Sequence, residues 1–429
     1  VRAAIIAGGR GVRMGEGTNE LPKPMLPVGP KPLLEHQIEL FARSGIQDIT
    51  LCIGYLSHTI QQYFGTGQAW GVRIRYSVEN QPLGTAGSLR LAFPNLREPL
   101  FVLYGDIMVN IDLKAFANFH LEHGGAATLA VHPNDHMHDS DLIELDGTHR
   151  IVHIHRKPHN PHQYYPNLDN CGFYIIEPGL IELIPATTKC DFAHDVFPKA
   201  LQSCLPLYGY RTAEYLKDIG TPERYDEVVR DWQLGRVERL HRSRPRPAIF
   251  LDRDGVLTRE VHHLHHPEQL DLMPGVAEAV RIINESDFLA ILVTNQSVVA
   301  RGLCSETELR VIHHKLETLL GYERAWLDAI YYCPHHPEHE FNRVKTCRCR
   351  KPETGLIEMA CRDFNIDFSN SFIIGDSTSD VETARQAGIT PVLVRTGYGG
   401  TDRQYQLGTV RAYDDLLGAV KAIVRGEST

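Results

Sequence analysis

The chain has 429 residues, 23% of them charged and 42% hydrophobic, with a formal charge of −9. That length exceeds one ordinary core, so two domains are expected, and the composition excludes extensive disorder. Residues 1–240 carry 22 Lys/Arg against 27 Asp/Glu and the remainder 22 against 26, so neither half has the basic excess of a nucleic-acid binder.

In chain order, AAIIA at 3–7 reads as a buried strand running into a glycine-rich loop. A helix is expected over 33–44, a strand over 49–54, and further strands over 72–78, 100–104 and 126–131. Residues 153–170, rich in His, Pro, Asn and Tyr, read as an irregular connection before a strand at 171–177 and a helix at 221–239. LHRSRPRP at 240–247 has no periodicity and is the best linker candidate. A new alternating series follows: strand 248–252, helix 274–285, strand 289–293, helix 305–320, and strands 371–375 and 391–394. The expected division is a domain over 1–235, a linker over 236–247 and a domain over 248–429. Both are α/β, because strands alternating with helices build mostly parallel sheets with crossover helices.

No apolar run approaches the roughly 20 residues of a membrane helix. The opening VRAAIIAGGRG lacks the apolar core and cleavage site of a signal peptide, so a cytoplasmic location without membrane partners is expected. Nine cysteines in a chain this long read as reduced thiols, not as a disulfide framework. Cys333, Cys347 and Cys349 stand apart because they cluster with histidines.

In AGGRGVRMG (7–15), glycines let backbone amides approach phosphate oxygens. Their spacing is not the dinucleotide fingerprint, and no Gly-Lys-Ser/Thr follows as in a P-loop. Together with LPKPMLPVGPKPLLEH (21–36), the segment resembles the signature of the sugar-phosphate nucleotidylyltransferases. The resemblance implies that Gly8, Gly9, Gly11 and Arg13 hold a nucleoside triphosphate and that Lys23 meets its phosphates. ENQPLGTAG (79–87) resembles the element that recognises base and ribose, with Gln81, Gly84 and Gly87 as contacts. FVLYGD (101–106) and YLKDIGTPERY (215–225) match the places of two Mg²⁺-binding aspartates, Asp106 and Asp218. HRKP (155–158) offers Lys157 to the sugar phosphate, with Arg156 where the family commonly has an acid, and DNCGFY (169–174) offers Asn170 and Gly172 to the sugar.

The chemistry implied is attack of a sugar 1-phosphate on the α-phosphorus of a nucleoside triphosphate. Two polyanions must meet, so positioning and charge neutralisation by Mg²⁺, Arg13 and Lys23 dominate. Within the family, the closest resemblance is to heptose 1-phosphate guanylyltransferases, which implies GTP.

AIFLDRDGVL (248–257) sets two carboxylates at the carboxyl end of a strand, where open α/β sheets carry their chemistry. It resembles the first motif of the haloacid-dehalogenase-type phosphatases, implying Asp252 as nucleophile and Asp254 as general acid/base. ILVTNQS (291–297) then offers Thr294 and Asn295 to the phosphate, and CRKP (349–352) offers Arg350 and Lys351. FIIGDSTSD (372–380) offers Asp376 as a Mg²⁺ ligand beside Asp252 and Asp254, with Asp380 behind it. A carboxylate facing a phosphate dianion is repelled unless Mg²⁺ and a lysine screen the charges.

Between these motifs, Cys333, Cys347, Cys349 and a histidine have the composition of a closed structural Zn²⁺ site. The resemblance favours His335 over His336 and His339. The histidines of TREVHHLHHPEQ (258–269) read as a solvated loop rather than a second metal site.

The same zinc loop occurs in phosphatases of heptose bisphosphate and of histidinol phosphate. Only the heptose reading explains the fusion, since dephosphorylating a heptose 1,7-bisphosphate leaves a heptose 1-phosphate for the first domain. The expectation is therefore a bifunctional enzyme of nucleotide-heptose synthesis, acting on small sugar phosphates and a nucleotide. Homo-oligomerisation, another sugar or nucleotide, and a silent N-terminal module all stay open.

Overall fold

The computed structural model describes residues 2–9, 21–186, 188–338 and 347–426, so Gly11, Arg13 and His339 lie outside the described residues. The chain forms two compact units. The first comprises Val1–Val131, Ile143–Ile154 and Asn170–Arg242, and the second His132–Leu142, His155–Asp169 and Ser243–Thr429.

The first unit is built on a mixed sheet from β1 (Arg2–Ala7), β2 (Asp48–Ile53), β3 (Arg73–Val78), β4 (Leu100–Tyr104), β6 (Ala127–His132), β7 (Leu142–Leu145), β8 (Ile151–His155), β9 (Asp169–Ile176) and β10 (Leu207–Arg211). A separate antiparallel ladder pairs β5 (Ile107–Asn110) with β11 (Tyr215–Asp218). The main sheet runs β8-β7-β9-β4-β1-β2-β3, and β6 joins β9 to β10. β1 is parallel to both β2 and β4, while β9 is antiparallel to β4. Its residues Ala3, Ala4 and Ile5 are fully buried, as an apolar run covered on both faces requires. Because the chain leaves β1 toward β2 on one side and later returns to β4 on the other, a crevice opens at the carboxyl end of β1.

Helix α1 (Leu33–Arg43) packs Leu34, Ile38 and Phe41 into this core, and α2 (Gly84–Ala92) follows the ENQPLGTAG element. The helix expected over 221–239 is two helices, α3 (Pro222–Gln233) and α4 (Arg236–Arg239), because Gly235 takes a left-handed φ of 69° between them. Residues 236–240, expected to begin a linker, pack instead on the first unit through Val237 and Leu240.

The second unit is a six-stranded parallel sheet: β12 (Ala248–Leu251), β13 (Leu289–Asn295), β14 (Ala329–Cys333), β15 (Phe372–Gly375), β16 (Thr390–Val394) and β17 (Arg411–Tyr413). Its order, β14-β13-β12-β15-β16-β17, reverses direction at β12, which puts the DRDG motif at the switch point. Around it lie α5 (Val276–Glu285), α6 (Glu306–Tyr322), α7 (Gly355–Asp363), α8 (Thr378–Ala387) and α9 (Leu416–Val424). Ser305 and Glu308 close a capping box on α6, and Ser377 and Asp380 close another on α8.

The second unit also holds two stretches that precede its main body in sequence. Tyr165 donates its amide to the Thr318 hydroxyl (2.9 Å) and accepts that hydroxyl on its carbonyl (3.2 Å). Met137, Leu142 and Tyr165 form a small apolar cluster of their own. Among the described residues no helix is long and apolar enough to cross a membrane.

Candidate active sites

At the carboxyl ends of β1 and β4 a cavity of about 320 Å³ is lined by Gly9, Lys23, Pro24, Thr85, Tyr104, Asp106 and Gly220, among others. Lys23, only 7% exposed, reaches Asp106 Oδ2 at 2.7 Å. The β5–β11 ladder sets Asp218 opposite Ile107, and the Ile219 amide donates to the Asp106 carbonyl (2.8 Å), bringing both aspartates to one end of the ladder. Asp218 itself accepts from Arg224 (2.9 Å) and from the Gly220 amide (2.6 Å).

The other residues expected here fall in different surroundings. At Gly8, a Cβ would lie 2.5 Å from the Glu79 carboxylate, so the glycine makes room for Glu79. Gly84 and Gly87 pack α2 against the 188–190 segment, where the Ala86 and Gly87 amides donate to the Cys190 carbonyl (3.0 and 3.1 Å). Gln81 is exposed. Gly172 leaves space for the Tyr104 ring, and Asn170 Oδ1 accepts weakly from the Gly172 amide (3.4 Å). Lys157 belongs to the second compact unit and gives its ammonium to the carbonyl and carboxylate of Asp139 (2.6 and 2.9 Å).

Two residues that the sequence reading missed shape the cavity. Gln37, fully buried on α1, donates to the carbonyls of Tyr104 (2.9 Å) and Ile107 (2.6 Å), clamping the turn that carries Asp106. Thr85 donates to Asp191 (2.8 Å) and accepts from the Phe192 amide (2.9 Å). Thr85 stood in plain view between the two glycines singled out at 84 and 87.

In the second unit the motif residues converge at the end of β12. Lys351, 4% exposed, lies 3.0 Å from Asp252 and 2.5 Å from Asp380, and donates to the Val293 carbonyl at 3.0 Å. Burial alone would lower its pKa, but Asp252 and Asp380 more than reverse this and hold it above the ordinary lysine value.

One oxygen from each of Asp252, Asp376 and Asp380 lies within 4.8 Å of the others. Burial, with Asp380 and Asp254 nearby, raises Asp252 to about 6 despite Lys351. Burial followed by Asp252 and Asp380 raises Asp376 to about 8. One lysine does not neutralise three such groups, and a hard divalent cation suits an all-oxygen set of this kind.

Gly255 and Gly397 admit the Asp376 carboxylate: a Cβ on either would stand 2.2 or 2.0 Å from Asp376 Oδ2, and both glycines have left-handed φ.

Asp254 was expected among the metal carboxylates. Its carboxylate turns instead to Arg253, Gln296 and Thr258 and stands outside the cluster of three, whose third member is Asp380. Asn295, expected to meet phosphate, exchanges two hydrogen bonds with the Lys351 main chain (2.9 and 3.1 Å) and so positions the lysine. Thr294, 1% exposed, accepts from Gln296 at 2.9 Å. Arg350 donates to the His335 carbonyl (3.1 Å).

Cys333, His335, Cys347 and Cys349 come together with ligand atoms all within 4.8 Å of one another. Cys333 lies 3.2 Å from Cys349 and 3.6 Å from Cys347, and His335 Nδ1 lies 3.3 Å from Cys349. A tetrahedral Zn²⁺ with 2.3 Å bonds to sulfur wants edges of about 3.8 Å, so the donor set and its spacing fit. The hydrogen bond between Cys333 and Cys349 lowers the Cys349 thiol toward the thiolate such a site needs and raises Cys333 in turn. The loop also braces the phosphatase motifs, because the Cys333 carbonyl accepts from the Gln296 amide (2.7 Å).

A nucleotidyl transferase family model matches residues 2–233, and a HAD-hydrolase-like model matches residues 348–419. The chain belongs to the nucleotidyl transferase family. Its C-terminal part is 41% identical over 188 residues to a D-glycero-D-manno-heptose-1,7-bisphosphate 7-phosphatase of Thermosynechococcus vestitus, covering 42% of this chain and 96% of that protein. The chain belongs to that phosphatase family as well. It is also 33% identical over 239 residues to a mannose-1-phosphate guanyltransferase of Pichia angusta (52% of this chain, 62% of that protein). A UTP–glucose-1-phosphate uridylyltransferase of Synechocystis is 28% identical over 305 residues (68% and 72%). One half of this bifunctional enzyme is thus a nucleotidyltransferase and the other a phosphatase.

Proposed function

We propose that the second unit removes the 7-phosphate of a heptose 1,7-bisphosphate. The first unit then transfers a nucleotidyl group, GMP from GTP, to the heptose 1-phosphate that remains. The observation that carries this reading is the buried Asp252–Lys351–Asp380 cluster at the β12 switch point, in a segment 41% identical to a heptose-bisphosphate phosphatase. On the same chain sits a transferase, for which a sugar 1-phosphate is the natural acceptor.

In the phosphatase, an Asp252 oxygen attacks the phosphorus of the 7-phosphate and the bond to the sugar oxygen breaks. Asp254 hands that oxygen a proton, so the sugar leaves as an alcohol. Asp254, now a carboxylate, takes a proton from water, which attacks the aspartyl phosphate and releases inorganic phosphate. Lys351 screens the approach of phosphate to Asp252. Asp252, Asp376 and Asp380 would hold a Mg²⁺, which supplies further charge neutralisation when bound.

In the transferase, a phosphate oxygen of the heptose 1-phosphate attacks the α-phosphorus of the nucleotide and pyrophosphate departs. Lys23, which lines the cavity beside Asp106, would meet the phosphates, and Asp106 with Asp218 would hold a second Mg²⁺. Arg13 and Gly11 complete the phosphate loop in this reading. Cys333, His335, Cys347 and Cys349 would hold a structural Zn²⁺.

The test is a mass-spectrometric assay with Mg²⁺, both anomers of heptose 1,7-bisphosphate, and each nucleoside triphosphate in turn. Phosphate release with GDP-heptose as the dominant product supports the reading. A dominant UDP-heptose would keep the sugar and overturn the base, and no phosphate from either anomer would overturn the heptose assignment.

A further inference from the structure

Arg253 stands between the two aspartates of the DRDG motif and is fully buried, at 0% exposure. A buried guanidinium is costly unless its donors are matched, and here they are. Nε and NH2 grip Asp254 as a fork, at 2.9 and 2.8 Å. NH2 also donates to Gln296 Oε1 (2.7 Å), and NH1 points at His313 Nε2 (3.5 Å). Gln296, itself 2% exposed, returns its amide to Asp254 Oδ2 (3.0 Å) and to the Thr294 hydroxyl (2.9 Å). Thr258 adds a fourth donor to the same carboxylate at 3.3 Å.

A flexible aspartate has thereby been given one orientation. Both oxygens are gripped by residues that follow two adjacent strands, Arg253 and Thr258 after β12 and Gln296 after β13, while His313 of α6 stands behind Arg253. The side chains of this clamp do not touch the nucleophile, which is held by Lys351 (3.0 Å) and by the Arg253 main-chain amide (2.7 Å).

We propose that Arg253 and Gln296 are positioning residues that aim Asp254 for proton exchange with the leaving oxygen and the attacking water. This rests on the reading of Asp254 as the acid/base given above. His313 backs the clamp by receiving Arg253 from α6. The second Gln296 amide hydrogen goes to the Thr294 hydroxyl, which fixes the amide's orientation toward Asp254.

The experiment compares an alkyl phosphate, whose alkoxide must be protonated to leave, with p-nitrophenyl phosphate, whose phenolate leaves unaided. The nitrophenolate burst reports aspartyl-phosphate formation alone. In Gln296→Met the burst rate is expected to stay within about twofold of the parent. Alkyl phosphate kcat is expected to fall roughly a hundredfold, with KM little changed, as lost acid/base catalysis predicts. Arg253→Lys, which keeps the charge but not the fork, is expected to show the same split. Asp254→Asn serves as the reference.

If Asp254→Asn shows no such split, the acid/base reading itself fails. If it does, but Gln296→Met and Arg253→Lys depress the burst and the alkyl turnover equally, or change neither, the positioning role is overturned. Unchanged zinc content and melting temperature identify variants that have folded.

Discussion

His313 offers a way to weigh the buried clamp by proton linkage. It is 4% exposed on α6, and burial first, then Arg253 and His314, pushes its pKa well below 6.5. Tyr332 packs on its ring at 5.4 Å and Arg253 faces its Nε2. The folded state therefore refuses a proton that the unfolded chain accepts. For a group depressed in this way, stability is present above pH 6.5 and is lost as pH falls below it.

With an unfolded value of 6.5 and a much lower folded one, the loss at pH 5 is about 2 kcal/mol relative to neutral pH. For a body of this size that corresponds to roughly 4–8 °C in melting temperature. His313→Gln keeps an acceptor for Arg253 and removes the titration. Thermal melts of parent and variant between pH 5 and 7.5 should therefore converge toward acid by that amount. Parallel curves would refute the reasoning, because they would mean that His313 is protonated equally in both states.

Three further outcomes are expected. Gly397→Ala puts a methyl 2.0 Å from Asp376 Oδ2, and an ångström of displacement there should lower phosphate release about a hundredfold while leaving nucleotidyl transfer intact. Lys351→Met leaves Asp252 and Asp380 buried without their cation; urea unfolding of the second unit should show a loss of about 3–5 kcal/mol, together with loss of the phosphoenzyme. Cys349→Ser opens the zinc set two residues before Lys351, so zinc content by elemental analysis and phosphate release should fall together, with pyrophosphate release from the transferase unchanged.

Much of the site could be read from residue order because each motif sits where a strand ends, and strand ends in a switch-point sheet share one edge. Asp252, Lys351 and Asp376 are separated by long stretches of chain, yet their strands or loops all finish at that edge. Side-chain direction was not legible in this way. Asp254 turns toward Gln296, and Asn295 turns toward the Lys351 main chain, because these partners come from other elements. Gln37 was invisible for the same reason: on an amphipathic helix it reads as one more polar residue until the carbonyls of Tyr104 and Ile107 are known to lie beneath it. Local breaks were missed too. The pattern over 221–239 is continuous, and only the left-handed backbone at Gly235 reveals two helices.

The second compact unit is not a contiguous stretch of chain. Residues 132–142 and 155–169 belong to it, although the rest of the unit begins at Ser243. During synthesis these early pieces leave the ribosome long before Thr318, the residue to which Tyr165 is bonded, has been made. They therefore lack their partners in the second unit until the rest of that unit has been made. A gene cut before residue 243 would split only the second unit: the leading product would carry the whole first unit and display an orphaned Met137–Leu142–Tyr165 cluster, and the trailing one would carry a bare Thr318 on α6. Supplied together, the two products should therefore recapture one another by completing a fold rather than by docking finished surfaces.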